Sequence, residues 1–329
     1  MIVFTVENTV RIRDGGINLD ILIGLVKIII GFVLLTKGAD FFVDGSAAIA
    51  AKLGVPQIVI GLTIVAMGTS APEAAVSISA GLMGNNGISI GNVLGSNIMN
   101  ILLILGLTAV ITTLNVQKDT IKIDIPFMLI MTIVMISWGM LKGSFTKFSG
   151  VIFLIILFSY LGYLFWYSKN HETEEEESKV IKGWLIPIFV LGGLAAIILG
   201  SRFVVGGAST IAGVFGVSER VIGLTIVAFG TSLPELMTSV TAARKGNADL
   251  AIGNIVGSNL FNILFILGTT SLIIDLPYLE DGANFIIDGF VALGAALLLW
   301  IFTLKNKKLN RLGGLIMLVC YTAYFVYLL

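Results

Sequence analysis

The chain has 329 residues, 57% of them hydrophobic and 12% charged, about half the charged share of an ordinary soluble domain, which is roughly 25%. A mean hydropathy of +1.01 describes a polypeptide whose solvent is mostly lipid, so a soluble globular fold is excluded. The 20 basic and 20 acidic residues cancel, leaving no basic excess to recruit nucleic acid, and the single cysteine, Cys320, excludes a disulfide framework or a multi-thiolate metal centre.

Residues 1–18 scatter charges through a short apolar run and lack the sustained core of a cleaved signal peptide, so they read as an extramembrane N-terminal tail. From Leu19 onward, apolar stretches recur between short polar breaks, each near the roughly 20 residues that a bilayer-spanning helix needs. They predict an all-α integral membrane protein with spans at 19–46, 57–83, 88–113, 124–141, 150–168, 183–213, 219–243, 250–274, 285–304 and 310–329. The alternation of a transmembrane barrel strand is missing from runs such as Ile21–Leu35 and Val151–Tyr167. One strongly polar segment interrupts the series. Residues 169–182 form an acidic linker between a first half, 19–168, and a second half, 183–329. Its run Glu174–Glu177 lacks the spaced Asp, Asn and Gly of a folded calcium loop, and His171 within it reads as a solvated loop residue.

Lys and Arg set the orientation, because cytoplasmic loops are enriched in them. With the N-terminus outside, the cytoplasmic breaks collect Lys52, Lys118, Lys122, Lys169, Lys179, Lys182, Arg244, Lys245, Lys305, Lys307, Lys308 and Arg311. The opposite face holds Arg11, Arg13, Lys142, Lys147 and Arg220. This places the linker in the cytoplasm and both termini outside.

The two halves repeat one another. Residues 61–73 read GLTIVAMGTSAPE and residues 223–235 read GLTIVAFGTSLPE; residues 91–106 read GNVLGSNIMNILLILG and residues 253–268 read GNIVGSNLFNILFILG. Glu73 and Glu235 are 162 residues apart, as are Asn100 and Asn262, and the register holds without a gap from Gly38/Gly200 to Gly106/Gly268. Similarity of this grade marks a gene duplication. Five spans per half is an odd number, so the second half enters the bilayer from the opposite side and the repeats are inverted about an axis in the membrane plane. The two motifs then face each other near the midplane and build one site from two half-sites.

A carboxylate in hydrocarbon costs at least about 2.5–3.5 kcal/mol on insertion scales, so Glu73 and Glu235 need a partner or a task. No Lys or Arg lies within two helical turns of either in the sequence, and the natural counter-charge is a cation from solution. Pro72 and Pro234 lack an N–H and release the carbonyls of Gly68 and Gly230 from their usual helical partners. Broken helices persist in a membrane only where protein or a cavity re-satisfies the backbone, and freed carbonyls are also good ligands for hard cations. Helical spacing aligns Ala66, Thr69, Ser70, Glu73 and Ser77 on one stripe, and Ala228, Thr231, Ser232, Glu235 and Ser239 on its counterpart. In the following spans Asn92, Ser96 and Asn100 recur every fourth residue, as do Asn254, Ser258 and Asn262. Such hard oxygen donors with two negative charges suit calcium and sodium rather than zinc or copper. Blander roles stand beside these. The Gly91/Gly95 and Gly253/Gly257 pairs suit close helix packing, Ser77 and Ser239 can bond the preceding turn, and Lys37 with Asp40 forms a local ion pair. Asp40 aligns with Arg202 and so lacks the symmetry of the glutamates.

GTSAPE with GNVLGSNIMN, and GTSLPE with GNIVGSNLFN, resemble the two alpha repeats of the sodium/calcium exchangers in the cation/calcium exchanger superfamily, of prokaryotic type. The resemblance covers both repeat cores and, through span number and linker position, nearly the whole chain. It implies ten helices in two inverted halves of five, and a central set of sites that takes either sodium ions or one calcium ion. Carried over by position, the ligands are Ala66 (carbonyl), Thr69, Ser70, Glu73, Ser96 and Asn100, with Ala228 (carbonyl), Thr231, Ser232, Glu235, Ser258 and Asn262. The family's first and sixth helices are understood to slide against the rest to alternate access; here these are spans 19–46 and 183–213. Some relatives, potassium-dependent members among them, carry Asp where Asn262 stands; with Asn at both 100 and 262 the only site carboxylates are Glu73 and Glu235, so potassium-independent exchange is expected. A proton/calcium exchanger is the alternative. No selectivity filter, sensory domain, nucleophile–base pair or cofactor loop supports a channel, a sensor or an enzyme. The expected partners are calcium, sodium and the lipid bilayer, with no cofactor beyond the transported ions and no obligate protein partner.

Overall fold

The computed structural model describes residues 19–84, 86–170, 181–216, 228–280 and 283–328. Helix α1 (Leu19–Leu53) is followed by a broken pair, α2 (Gln57–Thr69) and α3 (Ala71–Leu82), then by α4 (Asn86–Ile111), α5 (Thr120–Lys142) and α6 (Lys147–Asn170). The second half contains α7 (Ile186–Val214), a second broken pair α8 (Ala228–Thr231) and α9 (Leu233–Arg244), then α10 (Ala248–Ile273), α11 (Phe285–Asn306) and α12 (Arg311–Leu328). Among the described residues eight helices are long and apolar enough to cross a bilayer, and α2 with α3 makes a ninth span bent by 48°. The first part of the predicted seventh span, 219–227, and the acidic run and His171 of the linker lie outside the described residues.

Where described, the predicted spans coincide with helices, with one extension: α1 runs on to Leu53 instead of stopping at 46. The added segment is rich in alanine, a strong helix former, and ends at Gly54, whose φ of +63° closes the helix in the left-handed region. A proline follows the break in each broken pair. Ser70 leaves the helical region with a ψ of 5° and Ser232 with a ψ of 3°, and a proline occupies the first turn of the helix that follows each.

Helices α1 and α7 pack antiparallel along a seam of glycines. Gly24 lies against Gly207, Gly31 against Gly200 and Gly38 against Gly193. A Cβ on Gly31 would stand 2.7 Å from the Gly200 carbonyl oxygen, and one on Gly200 would stand 2.8 Å from that of Gly31. Backbones touch where no side chain intervenes. Because these two helices open the two halves, their antiparallel register means that the halves enter the membrane from opposite sides, as the repeat predicts. Large apolar residues such as Ile29 and Phe32 cover the outer face of α1. At the centre, every residue of α10 from Leu250 to Leu264 is buried, so this helix is surrounded by protein rather than lipid. Gly253 and Gly257 pack against the backbone of α2 at Ile58, Gly61 and Leu62, in agreement with the close-packing reading, whereas Gly91 and Gly95 do not: a Cβ on Gly91 would meet only the Phe285 ring at 3.6 Å, and one on Gly95 no described atom within 4 Å.

Two short antiparallel bridges tie the halves at opposite ends. Strand β1 (Leu114–Asn115) pairs with β6 (Lys308–Leu309), and β2 (Ser144–Phe145) pairs with β3 (Leu276–Pro277). The pairs exchange under the pseudo-twofold, since β1 and β3 follow the corresponding third spans. A third bridge joins β4 (Leu279–Glu280) to β5 (Ala283–Asn284). The repeat also reaches the last two spans of each half: Tyr160 donates its phenol to Asp124 Oδ1 at 2.9 Å, and Tyr324 donates to Asp288 Oδ1 at 2.8 Å.

Candidate cation site

The proline breaks bring both motifs to the middle of the molecule. Glu73 begins α3 and Glu235 begins α9, each in the first helical turn, where main-chain N–H groups favour a negative charge. Each carboxylate is 1% exposed. Ser232 Oγ donates to Glu73 Oε1 at 3.2 Å, and Ser70 Oγ donates to Glu235 Oε1 at 2.9 Å. Each serine therefore serves the carboxylate of the opposite half, which brings the two acidic groups to a common centre. The second oxygen of each, Oε2, is buried with no hydrogen-bond partner among the described residues, and so are Asn100 Oδ1 and Asn262 Oδ1. Four acceptor oxygens in a buried position without donors are the electrostatic complement of a cation, since an unmet buried acceptor is otherwise costly. Among the described residues no three His, Cys, Asp or Glu side chains group to hold a metal. A cation here would draw on amide, hydroxyl and main-chain oxygen as well as the two carboxylates, a donor set that fits calcium or sodium.

Asn100 and Asn262 sit where α4 and α10 change to wider π-type turns, Met99–Leu105 and Asn262–Leu267, a distortion that often accompanies functional positions. Ser96, Ser258 and Ser232 are buried beside them, Thr231 is half-buried, and Ala228 opens α8. The Ala66 carbonyl accepts the Ser70 N–H at 3.0 Å and lies 3.4 Å from Thr69 Oγ1. Thr69 Oγ1 lies 3.1 Å from the Val65 carbonyl and 3.0 Å from Asn254 Oδ1.

Several residues on the predicted stripes act as tethers instead. Asn92 Nδ2 donates to the Glu73 carbonyl at 3.2 Å and to Ser77 Oγ at 2.9 Å; Asn254 Nδ2 donates to the Glu235 carbonyl at 3.4 Å and to Ser239 Oγ at 2.9 Å. Ser77 and Ser239 thus accept from the neighbouring span, which corrects their reading as back-bonds to the preceding turn. Of the two carbonyls released by proline, that of Gly230 accepts the hydroxyl of Ser201 on α7. It is capped by protein, and the equivalent of Ser201 in the first half is Ala39, which has no hydroxyl. The expected Lys37–Asp40 pair does not form. Asp40 and Asp44 on α1 instead meet Lys245, just past α9, at 3.3 and 2.7 Å, because helix packing brings a distant cation closer than the local one.

Sequence reasoning missed Asn97 and Asn259. Asn100 Nδ2 donates to Asn259 Oδ1 at 3.0 Å, and Asn262 Nδ2 donates to Asn97 Oδ1 at 2.9 Å. A signal was present, since both belong to the duplicated GSN triplet at the 162-residue offset. They fall off the four-residue stripe and so escaped it.

Inverted halves that sink one carboxylate each into a shared, cross-bonded centre define a membrane cation antiporter. The model of the family described as sodium/calcium exchanger protein matches residues 23–166 and 185–329. The putative antiporter CaxA of Alkalimonas amylolytica is 39% identical over 92% of this chain and 98% of its own length. The sodium/calcium exchanger MaX1 of Methanosarcina acetivorans is 32% identical over 94% of this chain and 99% of its own. The solved structure of the sodium-calcium exchanger NCX_Mj superposes with a TM-score of 0.81 at 37% identity, covering 93% of this chain and 98% of that one. The chain belongs to the sodium/calcium exchanger family.

Proposed function

We propose that the chain exchanges sodium ions for calcium by alternating access, without a requirement for potassium. The observation that carries this reading is the reciprocal bonding of Ser70 to Glu235 and Ser232 to Glu73, with one bare buried oxygen left on each carboxylate. The proposed ligands are Glu73 and Glu235, with Ala66 and Ala228 through their carbonyls, Thr69, Ser70, Ser96, Asn100, Thr231, Ser232, Ser258 and Asn262. Two carboxylates and two amides make a calcium-loaded site neutral. That balance removes the need for a further monovalent cation and favours independence from potassium. Occupancy by calcium or by sodium is mutually exclusive because both use the same oxygens. With the centre empty the two carboxylates repel, so partly filled states resist the change of access and coupling is enforced. The close glycine-lined seam between α1 and α7 suits these two helices to move together against the rest. Moving charge across the membrane is worth about 2.3 kcal/mol per 100 mV, so more than two sodium ions per calcium are needed for voltage to assist calcium export.

In this reading the halves 19–168 and 183–329 sit in the cell membrane with the N-terminus outside, and the linker 169–182 lies in the cytoplasm, as the distribution of Lys and Arg suggests. The test is calcium uptake into vesicles of the purified chain under crossed sodium, proton and potassium gradients. Uptake driven by outward sodium, with potassium absent, is expected. Uptake driven equally by a proton gradient without sodium would assign the chain to proton/calcium exchange, and an absolute need for potassium would refute the charge-balance argument.

A further inference from the structure

An asparagine can ligate a cation only through its amide oxygen; the amide nitrogen carries protons and repels it. Nothing within α4 or α10 alone dictates which end of Asn100 or Asn262 faces the centre. The two asparagines that sequence reasoning missed decide it. Asn97 Nδ2 donates to the main-chain oxygen of Asn259 at 3.3 Å, and Asn259 Nδ2 donates to that of Asn97 at 3.1 Å. A main-chain carbonyl can only accept, so both amides are locked with nitrogen toward the backbone and oxygen away from it. Those oxygens receive Nδ2 of Asn262 and of Asn100 at 2.9 and 3.0 Å. With their nitrogens held by these bonds, Asn100 and Asn262 are left with Oδ1 buried and without a hydrogen-bond partner among the described residues. All four side chains are at most 3% exposed, so both contacts are made away from bulk solvent.

We infer that Asn97 and Asn259 are positioning residues of the cation site, each fixing the amide polarity of a ligand carried by the opposite half. Asn97 aims Asn262, and Asn259 aims Asn100. Neither touches the ion. The arrangement makes each half's ligand depend on the other half, so α4 and α10 must stay packed while ions enter and leave. This inference rests on the reading of Asn100 and Asn262 as ligands, and it extends that reading to how they are oriented.

The test is a set of double-mutant cycles on the full chain, with calcium affinity measured by titration of purified protein and thermal unfolding followed in chelator. Asn97→Ala is expected to weaken calcium binding by about 10- to 100-fold, the usual consequence of removing a residue that orients a metal ligand. Introduced into an Asn262→Ala background it is expected to cost little more, because the amide it aims is gone; in an Asn100→Ala background it is expected to cost its full amount. A purely structural role would lower the melting temperature and add equally in both backgrounds, and that result would overturn the assignment, as would unchanged affinity in Asn97→Ala. If the alanine variant does not fold, Asn97→Ser carries the same cycles with the same outcomes. A chain that binds no calcium before any substitution would overturn the ligand reading itself, an outcome separate from failure of the positioning role alone.

Discussion

Ser70, in the first half, donates its hydroxyl to Glu235, in the second, at 2.9 Å. The residue that breaks one half's helix therefore supports the other half's charge, so neither half contains a finished site. The inverted duplication makes the contact reciprocal, so each buried carboxylate has one oxygen bonded by the opposite half and one left without a partner among the described residues.

Replacing Glu73 by Gln keeps the shape of the side chain and an oxygen to accept from Ser232, but removes the charge. Calcium uptake is expected to fall to background while the protein stays folded. Its melting temperature in chelator should be equal to or above that of the unaltered chain, because a buried charge costs several kcal/mol when nothing balances it. Retained calcium transport by Glu73→Gln would refute the central role of this carboxylate.

Lys245 ties α1 to the end of α9 through Asp44 and Asp40. The corresponding position of the first half is Met83, so the tie exists on one side only. If α1 moves, the tie must break. Lys245→Met should raise turnover at saturating calcium by about two- to fivefold, the equivalent of a partly exposed ion pair worth up to ~1 kcal/mol, with calcium affinity unchanged. Initial rates in vesicles against equilibrium binding separate the two effects, and an altered affinity with unaltered turnover would contradict this account.

Ser201 caps the carbonyl that Pro234 releases at Gly230. Ser201→Ala leaves a buried acceptor unmet and should destabilise the protein by about 1–3 kcal/mol. The readout is thermal or denaturant unfolding in detergent; a variant as stable as the unaltered chain would mean that water or a neighbouring donor replaces the hydroxyl.

A methyl group on Gly31 would stand 2.7 Å from both the Gly200 carbonyl and a Val204 methyl. Gly31→Ala must push α1 and α7 apart, and overpacking of this kind costs about 1–3 kcal/mol. Gly162→Ala is the control, because a Cβ there meets no described atom within 4 Å. Comparable melting temperatures for the two variants would show that the seam tolerates separation.

The spans, the duplication and its inversion, and the paired acidic motifs were all legible in the sequence. Apolar length marks a span, identity at constant offset marks a repeat, and a carboxylate without a local cation marks a site. The amide stripe was legible only in part. Helical periodicity put Asn92, Ser96 and Asn100 on one face, but it cannot distinguish a ligand from a tether, and it passed over Asn97. Similarly, Lys37 stands three residues from Asp40, yet Asp40 pairs with Lys245, 205 residues away.

What the residues alone determined about this protein was therefore its solvent, its twofold build and the chemical kind of its centre, because composition and local spacing already carry that information. The long-range partners of its polar groups were decided by the tertiary structure. Ser70 finds Glu235 and Asn97 finds Asn262 only when two inverted halves pack together, Ser201 finds Gly230 only when α7 packs against α8 within one half, and a donor deep in a membrane bonds whatever acceptor packing brings within about 3 Å, however distant along the chain.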